Sequence, residues 1–549
     1  MNTDLRCRPF VPHGPEPQEG QRSVPPWDRQ APAWLTGRHA GGVFSRISRR
    51  GQAGAWRSQR ARVLFSLLFP LFALLACAAA FADGPYLATG IKIGEVTPDS
   101  AIVWVRLTRD AERVGSDHPE PVFRYKDPKT GRLLEDEKQK LRHCAPVVEF
   151  PNGSTVDTIA GAVPGAPGEA RVVVTPEGGD ATATDWLPVD PDRDFTRAFP
   201  LVGLKPATKH ALTVETRGPD GAPGQTMDGG FRTAPPADAP ARVRAIITTC
   251  HRYPRRDLGD QGYKVYAAMA ALDPDFFIHT GDILYYDERA KSIELARWHW
   301  QQQYSLPSNV AFHRNIAAYF MKDDHDTWQN DCWPSMKNPY MGTFTFGQGL
   351  GVFREQVPMG EKTYRSARWG RDLEVWMVEG RDFRSPNDLR DGPEKSIWGA
   401  EQKAWFKRTV AASDATFRVL VSPTPVVGPD RDNKNDNHAN DGFAHEGREL
   451  RAFLASQKNM ITCNGDRHWQ YTSKDPETGL REFSCGPATN EHAGGWPPDD
   501  RRPEHLYLNV VGGFLSLEVD RPGGVPTLTA RFHDVDGKVL YEEAFPAQS

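Results

Sequence analysis

Hydrophobic positions fall in two textures along the chain. Between residues 84 and 236 they form short β-branched or alternating runs, at 101–107, 171–175, 209–215 and 231–233, separated by Pro/Gly turns. Such runs read as strands, and a series of them as a β-sandwich. Residues 234–240 hold three prolines and no aromatic, which predicts a linker. From Ala241 the pattern changes. Short apolar runs now alternate with helical periods, at 263–272 with Tyr266, Ala267, Ala270 and Ala271 on one face, and at 400–411 with Trp405, Phe406 and Val410. Asp273-Pro274 stops the first of these helices. The alternation predicts an α/β domain over 241–549. Residues 506–511, 515–519, 527–533 and 539–545 read as closing antiparallel strands.

Four apolar runs in the second half end directly on acid, imidazole or thiol groups. Cys250 follows 242–249, Asp282 follows 275–280, Asp324 and His325 follow 317–322, and Asp466 with His468 follows 460–464. In an open α/β sheet the ligand site lies beyond the carboxyl ends of the strands, where distant residues converge. Mixed oxygen, nitrogen and sulfur donors suit a transition metal, and the oxygen positions suit a hard divalent cation. Gly281 permits a close turn before Asp282. Three carboxylates around His325 (Asp323, Asp324 and Asp326) repel one another and invite a cation. Asn330, just beyond, offers a further oxygen. Arg252 is a candidate for binding the anionic oxygens of a substrate, because a guanidinium matches paired oxygens. The turn-rich stretch 432–441, with Asn437, His438 and Asn440, is expected at the mouth of the site.

Charge changes the picture at the amino end. Residues 1–62 carry eleven arginines, no lysine and four acids, a balance of +7 against −4 overall, which leaves −11 for the rest. A mildly acidic folded part argues against non-specific nucleic-acid binding. Residues 1–60 read as a disordered basic leader. Residues 61–82 combine a positive flank, an apolar core and Ala80-Phe81-Ala82, the layout of a signal peptide, with an uncleaved membrane anchor as the alternative. Lipidation at Cys77 is a variant of anchoring. Either way the catalytic part is expected outside the cytoplasm: periplasmic, secreted or membrane-anchored. Cleavage predicts a mature chain that begins near Asp83. Beyond Cys7 and Cys77, five cysteines remain. An odd count in an oxidising compartment leaves at least one thiol free or metal-bound, with Cys250 the best candidate and up to two disulfides among Cys144, Cys332, Cys463 and Cys485.

The ordered set Cys250, Gly281-Asp282-x-x-Tyr285, Asp323-Asp324-His325 and Gly465-Asp466-x-His468 resembles the PhoD-type alkaline phosphatases, within the calcineurin-like metallophosphatases. The likeness extends from about Tyr86 to the C-terminus and includes 396–402. It implies a four-layer αββα catalytic sandwich, an iron–calcium centre and hydrolysis of phosphate mono- and diesters. The order of the N-terminal runs resembles fibronectin III/Ig-like modules. By motif match, Cys250, Asp282, Tyr285, Asp466 and His468 would surround Fe(III). Asp282, Asp324, Asn330 and Asp466 would face Ca(II), and His325 would act near the leaving group. Other divalent metals fit the same donors. Without the family match, Tyr285 reads as a core residue. The chain departs from the family at Lys322, where a Trp is usual, at Asp326, where a Glu is usual, and at Glu379-Gly380-Arg381, where Asp-Thr-Arg is usual. The expected partner is a small or polymeric phosphate ester, with no specific nucleic-acid site, and the chain is expected to be a monomer. The rival readings are a metallohydrolase of another ester class and a non-catalytic cell-surface binding protein.

Overall fold

The computed structural model describes residues 84–135 and 141–548. The leader, the signal or anchor segment, Cys7, Cys77 and the cleavage site all lie outside the described residues. Among the described residues no helix is long and apolar enough to cross a membrane.

Two large sheets organise the molecule. The first has nine strands, in the order Val539–Pro546, Thr527–His533, Phe514–Asp520, Val243–Thr248, Phe276–His279, Ala318–Phe320, Ile91–Gly94, Ser100–Arg106 and Thr196–Val202. The second has seven, in the order Arg365–Trp369, Leu373–Met377, Phe417–Ser422, Met460–Asn464, Arg481–Cys485, Gln470–Lys474 and His505–Asn509. Alternation along each strand sends successive side chains to opposite faces. Ala245 and Ile247 enter the core between the sheets with Val375, Met377, Val419 and Val421. Ile246 and Phe277 point the other way, onto Tyr266, Met269, Trp300 and Phe312 from helices. Trp376 and Leu420 do the same on the far side, against Phe406, Val410, Leu450 and Leu454 of helices Gly399–Ala412 and Ala444–Ala455. Strands buried on both faces require helices outside them, so the four layers follow from the apolar pattern.

The N-terminal strands do not stand apart. Gly94 pairs in parallel with Ala318, so Ile91–Gly94, Ser100–Arg106 and Thr196–Val202 extend the catalytic sheet. A five-stranded sheet built on Glu169–Pro176, Lys209–Arg217 and Pro223–Arg232 packs Val172, Val174, Leu212 and Val214 into the same core as Val103 and Phe199. The expected sandwich therefore shares one of its two sheets with the α/β part. A separate three-stranded sheet of Val122–Lys126, Leu133–Glu135 and Ala145–Glu149 completes this half. The closing strands also divide: His505–Asn509 joins the seven-stranded sheet, and the last three join the nine-stranded one.

A chain that starts at Ala241 would lose three strands of the nine and bare the edge of Ala318–Phe320. Unpaired apolar edges template aggregation. Size-exclusion chromatography of that fragment is expected to show aggregate. A monodisperse fragment with a cooperative melt would refute this account of the edge.

Candidate metal centre

Val243–Thr248, Phe276–His279 and Ala318–Phe320 are parallel neighbours, so their carboxyl ends open on one side. Met460–Asn464 of the facing sheet ends there too. Thr249 Oγ1 accepts from the Asp466 amide at 3.2 Å and donates to the Gly281 carbonyl at 3.2 Å. The Cys250 amide donates to Gly281 O at 3.2 Å, and His251 N to Asp282 O at 2.8 Å. Two glycines permit this packing. A Cβ on Gly281 would lie 2.5 Å from the Asp323 amide nitrogen, and one on Gly465 would lie 2.2 Å from Thr280 Oγ1. Cys250, Asp282 and Asp466 have left-handed φ values of 53°, 56° and 61°. Each such non-glycine residue costs on the order of 1–3 kcal/mol, a strain that clusters at functional sites.

Donor atoms of Cys250, Asp282 and His468 lie within 4.8 Å of one another, as do those of Asp282, Asp324 and His325, and those of Asp282, Asp323 and Asp466. Asp282 is common to all three groups. Its Oδ2 is 3.4 Å from Cys250 Sγ, and its buried Oδ1 has no hydrogen-bond partner. Tyr285 Oη stands 3.4 Å from His468 Nε2. Burial pushes the Cys250 thiol up, and the Asp282 and Asp466 carboxylates push it further. Burial also raises the Tyr285 phenol, with Cys250 and Asp282 adding to it. Burial raises Asp282, reinforced by Asp324, Asp323 and Asp466 against the opposing pull of His325. Burial keeps His468 a neutral imidazole, with His492 and Arg467 beside it. A thiol, a phenol and carboxylates that resist ionisation together, one with an orphaned oxygen, fit a cation site. The mixed donors match a transition metal, and the acid side matches a harder ion.

Buried cations brace the acids from behind. Arg381 Nε donates to Asp323 at 2.6 Å and its guanidinium lies 3.8 Å from Asp324. Arg467 pairs with Asp466, and with Asp430 at 3.4 Å. Although burial opposes it, Arg381 and His325 hold Asp324 below the usual carboxylate range. The departures from the family pattern turn out to be partners. Lys322 Nζ bonds Glu379 at 2.8 Å and Asp382 at 2.7 Å, the first two buried and Asp382 half-buried. Asp326 accepts from the Asp323 amide at 2.6 Å and the Ile283 amide at 3.1 Å, which ties two of the loops together. Removing one partner of a buried pair costs about 3–5 kcal/mol. Chemical denaturation of Lys322→Ala is expected to show a loss of that size, and Lys322→Met with Glu379→Gln and Asp382→Asn is expected to recover much of it. A Lys322→Ala chain as stable as wild type would contradict the pairing.

A cleft of about 570 Å³ opens over the cluster, lined among others by Arg142, Arg252, His325, Asn330, His468 and His492. His325 Nδ1 is 2.9 Å from Asp287 Oδ1, and its ring lies 4.3 Å from that of Tyr285. Burial opposes protonation of His325, but Asp287, Asp324 and Asp282 outweigh it and raise its pKa well above the ordinary value. Asn330 stands on the cleft wall, and its amide donates to Asp287 Oδ2 at 3.3 Å. Arg252 faces the cleft but is matched by Glu288 at 2.6 Å, which reduces its claim as the phosphate ligand. Arg142, exposed in the same cleft, has no partner among the described residues.

Two expectations need correction. Asn437 and His438 are not at the mouth. Both are buried, Asn437 donating to Asp430 at 2.7 Å and His438 Nε2 lying 3.0 Å from Glu446, so their polarity serves the interior. Cys144, Cys250, Cys332, Cys463 and Cys485 are all free and buried, so none of the allowed disulfides forms among the described residues. Three residues of the cleft, Arg142, Asp287 and His492, were not among the sequence candidates. Asp287 sits on the one-turn helix Tyr286–Arg289, five residues past Asp282, a spacing with no strand behind it. His492 lies outside any strand or helix, and only its being a histidine could have flagged it.

Residues 245–505 match the family model described as PhoD-like phosphatase. Among solved structures the chain is similar to one described as "Structure of PhoD", at 15% identity over 85% of this chain and 91% of that chain, with a TM-score of 0.62. It is also similar to the purple acid phosphatase PPD1 from yellow lupin (Lupinus luteus) seeds, at 12% identity over 83% of this chain and 74% of that one, with a TM-score of 0.55. These two likenesses speak for the fold. No curated protein matches the chain. Residues 245–505 therefore form a PhoD-like phosphatase domain.

Proposed function

We propose that the protein is an exported, metal-dependent hydrolase of phosphate mono- and diesters. The observation that carries this reading is the placing of Asp282 in three overlapping donor groups, two of which reach the cleft through His468 and His325. Cys250, Asp282, Tyr285, Asp466 and His468 would hold the softer ion, Fe(III) by family likeness, and Asp282, Asp324, Asn330 and Asp466 the harder one, Ca(II). Bound there, the cations would polarise phosphoryl oxygens and lower the pKa of a bound water. The chain's own residues do the rest. Asp287 holds His325 Nδ1–H, which leaves Nε2–H for the alkoxide that departs. Arg142 and Arg252 supply positive charge along the cleft, the second already balanced by Glu288.

The test is the metal-loaded full chain on a panel of phosphate monoesters, phosphate diesters and sulfate esters. Turnover of phosphate esters, with sulfate esters far slower, is expected. Sulfate turnover at an equal rate, or no turnover of any phosphate ester, would overturn the reading. Export rests on residues 61–82. N-terminal sequencing of the protein recovered outside the cytoplasm is expected to read from about residue 83, as cleavage after a small-x-small motif requires. A chain that keeps residues 63–75 would be anchored instead.

A further inference from the structure

His492 belongs to none of the motifs that mark the family, yet it touches two of the candidate ligands at once. Its Nδ1 lies 3.2 Å from the Cys250 carbonyl oxygen. A carbonyl only accepts, so Nδ1 carries the proton. Its Nε2 lies 3.3 Å from the Tyr285 hydroxyl. The ring centroid is 4.0 Å from that of His468. An imidazole fixed by a backbone carbonyl on one nitrogen and turned toward ligand atoms with the other is a recurrent outer partner of metal sites.

The two contacts act on different problems. Cys250 sits in a left-handed turn with φ of 53°, and its carbonyl accepts from the Ala488 amide at 3.4 Å. The His492 ring nitrogen is a second, closer donor to that carbonyl, at 3.2 Å. Tyr285 lies just before the one-turn helix Tyr286–Arg289, where its carbonyl accepts from the Glu288 amide at 3.2 Å, and the hydroxyl contact bears on where its ring points.

We propose that His492 is a positioning residue of the metal centre, holding the Cys250 turn and the Tyr285 ring in place before any ion arrives. It rests on the metal centre proposed above and is independent of which ester the enzyme cleaves. Losing an outer partner of this kind typically weakens metal binding about 10–100-fold.

The probe is Co(II), titrated into the metal-stripped full chain and read by the absorption of its contact with the Cys250 thiolate. His492→Leu is expected to bind about 10–100-fold more weakly than wild type. His492→Gln, which keeps an acceptor for the tyrosine hydroxyl and a donor, is expected to recover most of the loss. On a Tyr285→Phe background, His492→Leu is expected to cost clearly less than it does alone, since contacting residues are not additive. Far-UV circular dichroism of each metal-free variant checks the fold, and the glutamine–leucine comparison carries the test if either variant is less stable. Equal Co(II) affinity for the leucine and glutamine variants, or full additivity with Tyr285→Phe, overturns the role of His492. A wild-type chain that binds no Co(II) overturns the metal centre itself.

Discussion

Asp282→Asn is expected to empty the metal centre, cut turnover by about 10³-fold and raise the melting temperature of the metal-free chain. The first two effects follow from position, because Asp282 is the donor common to all three groups. Removing one group that stabilises developing charge costs roughly 10²–10³-fold, and loss of the metal adds to that. The third follows from the orphaned Asp282 Oδ1. A buried polar atom without a partner costs about 1–3 kcal/mol, and more when charged. The sign with pH is fixed. Burial raises the Asp282 pKa in the fold, so the folded state binds its proton more tightly than the unfolded state does. The metal-free wild type therefore carries no such penalty below the unfolded value near about 3.9, and loses stability as pH rises toward the folded pKa. The advantage of asparagine should be larger at about pH 8 than at about pH 4. Melting curves of both chelated proteins at the two pH values, with elemental analysis, check this. A variant that keeps its metal, or melts lower than wild type throughout, would count against the centre.

The second large effect is expected at His325. Replacing it with alanine should lower turnover about 10²–10⁴-fold, the range for loss of a general acid. Metal content should stay near wild type, because Asp282 and Asp324 remain. The defect should shrink for esters whose leaving group is already a weak base, since they need no proton to depart. Asp287→Asn should reproduce a milder form, about 10–100-fold, because it only orients the imidazole. His325 also lies with Asp282 and Asp324 in one donor group. Elemental analysis that found the alanine variant stripped of metal would make it a ligand, and the acid role would fall.

Much of this site was legible because each donor comes directly after a buried strand. Cys250, Asp282, Asp324, Asp466 and His468 all obey that rule, and parallel pairing brings most of their strands side by side. Asp287 and His492 obey no such rule, since one sits on a single helical turn and the other in an irregular segment. The partners of charged residues were equally hidden. Nothing in the sequence ties Arg252 to Glu288, or Lys322 to Glu379, because fifty-odd residues of chain in the second case fold back before the pair meets. At the level of architecture, strand and helix textures marked the two halves. The parallel pairing of Gly94 with Ala318 left no trace in either local pattern, so the shared sheet could only be seen in three dimensions.

That pairing also sets an order of events for a newly made chain. The strand at Ile91–Gly94 emerges early, but its parallel neighbour at Ala318–Phe320 is made more than two hundred residues later. At about 5–20 residues per second, synthesis of the intervening stretch takes roughly 10–45 s. Through that interval the early strands can form their local hairpin, yet the large sheet cannot close. Contacts this distant in sequence also slow the final collapse, because loop-closure entropy comes before any reward. A protein built this way stays loosely folded until late, with the apolar edges of its early strands unpaired throughout that interval.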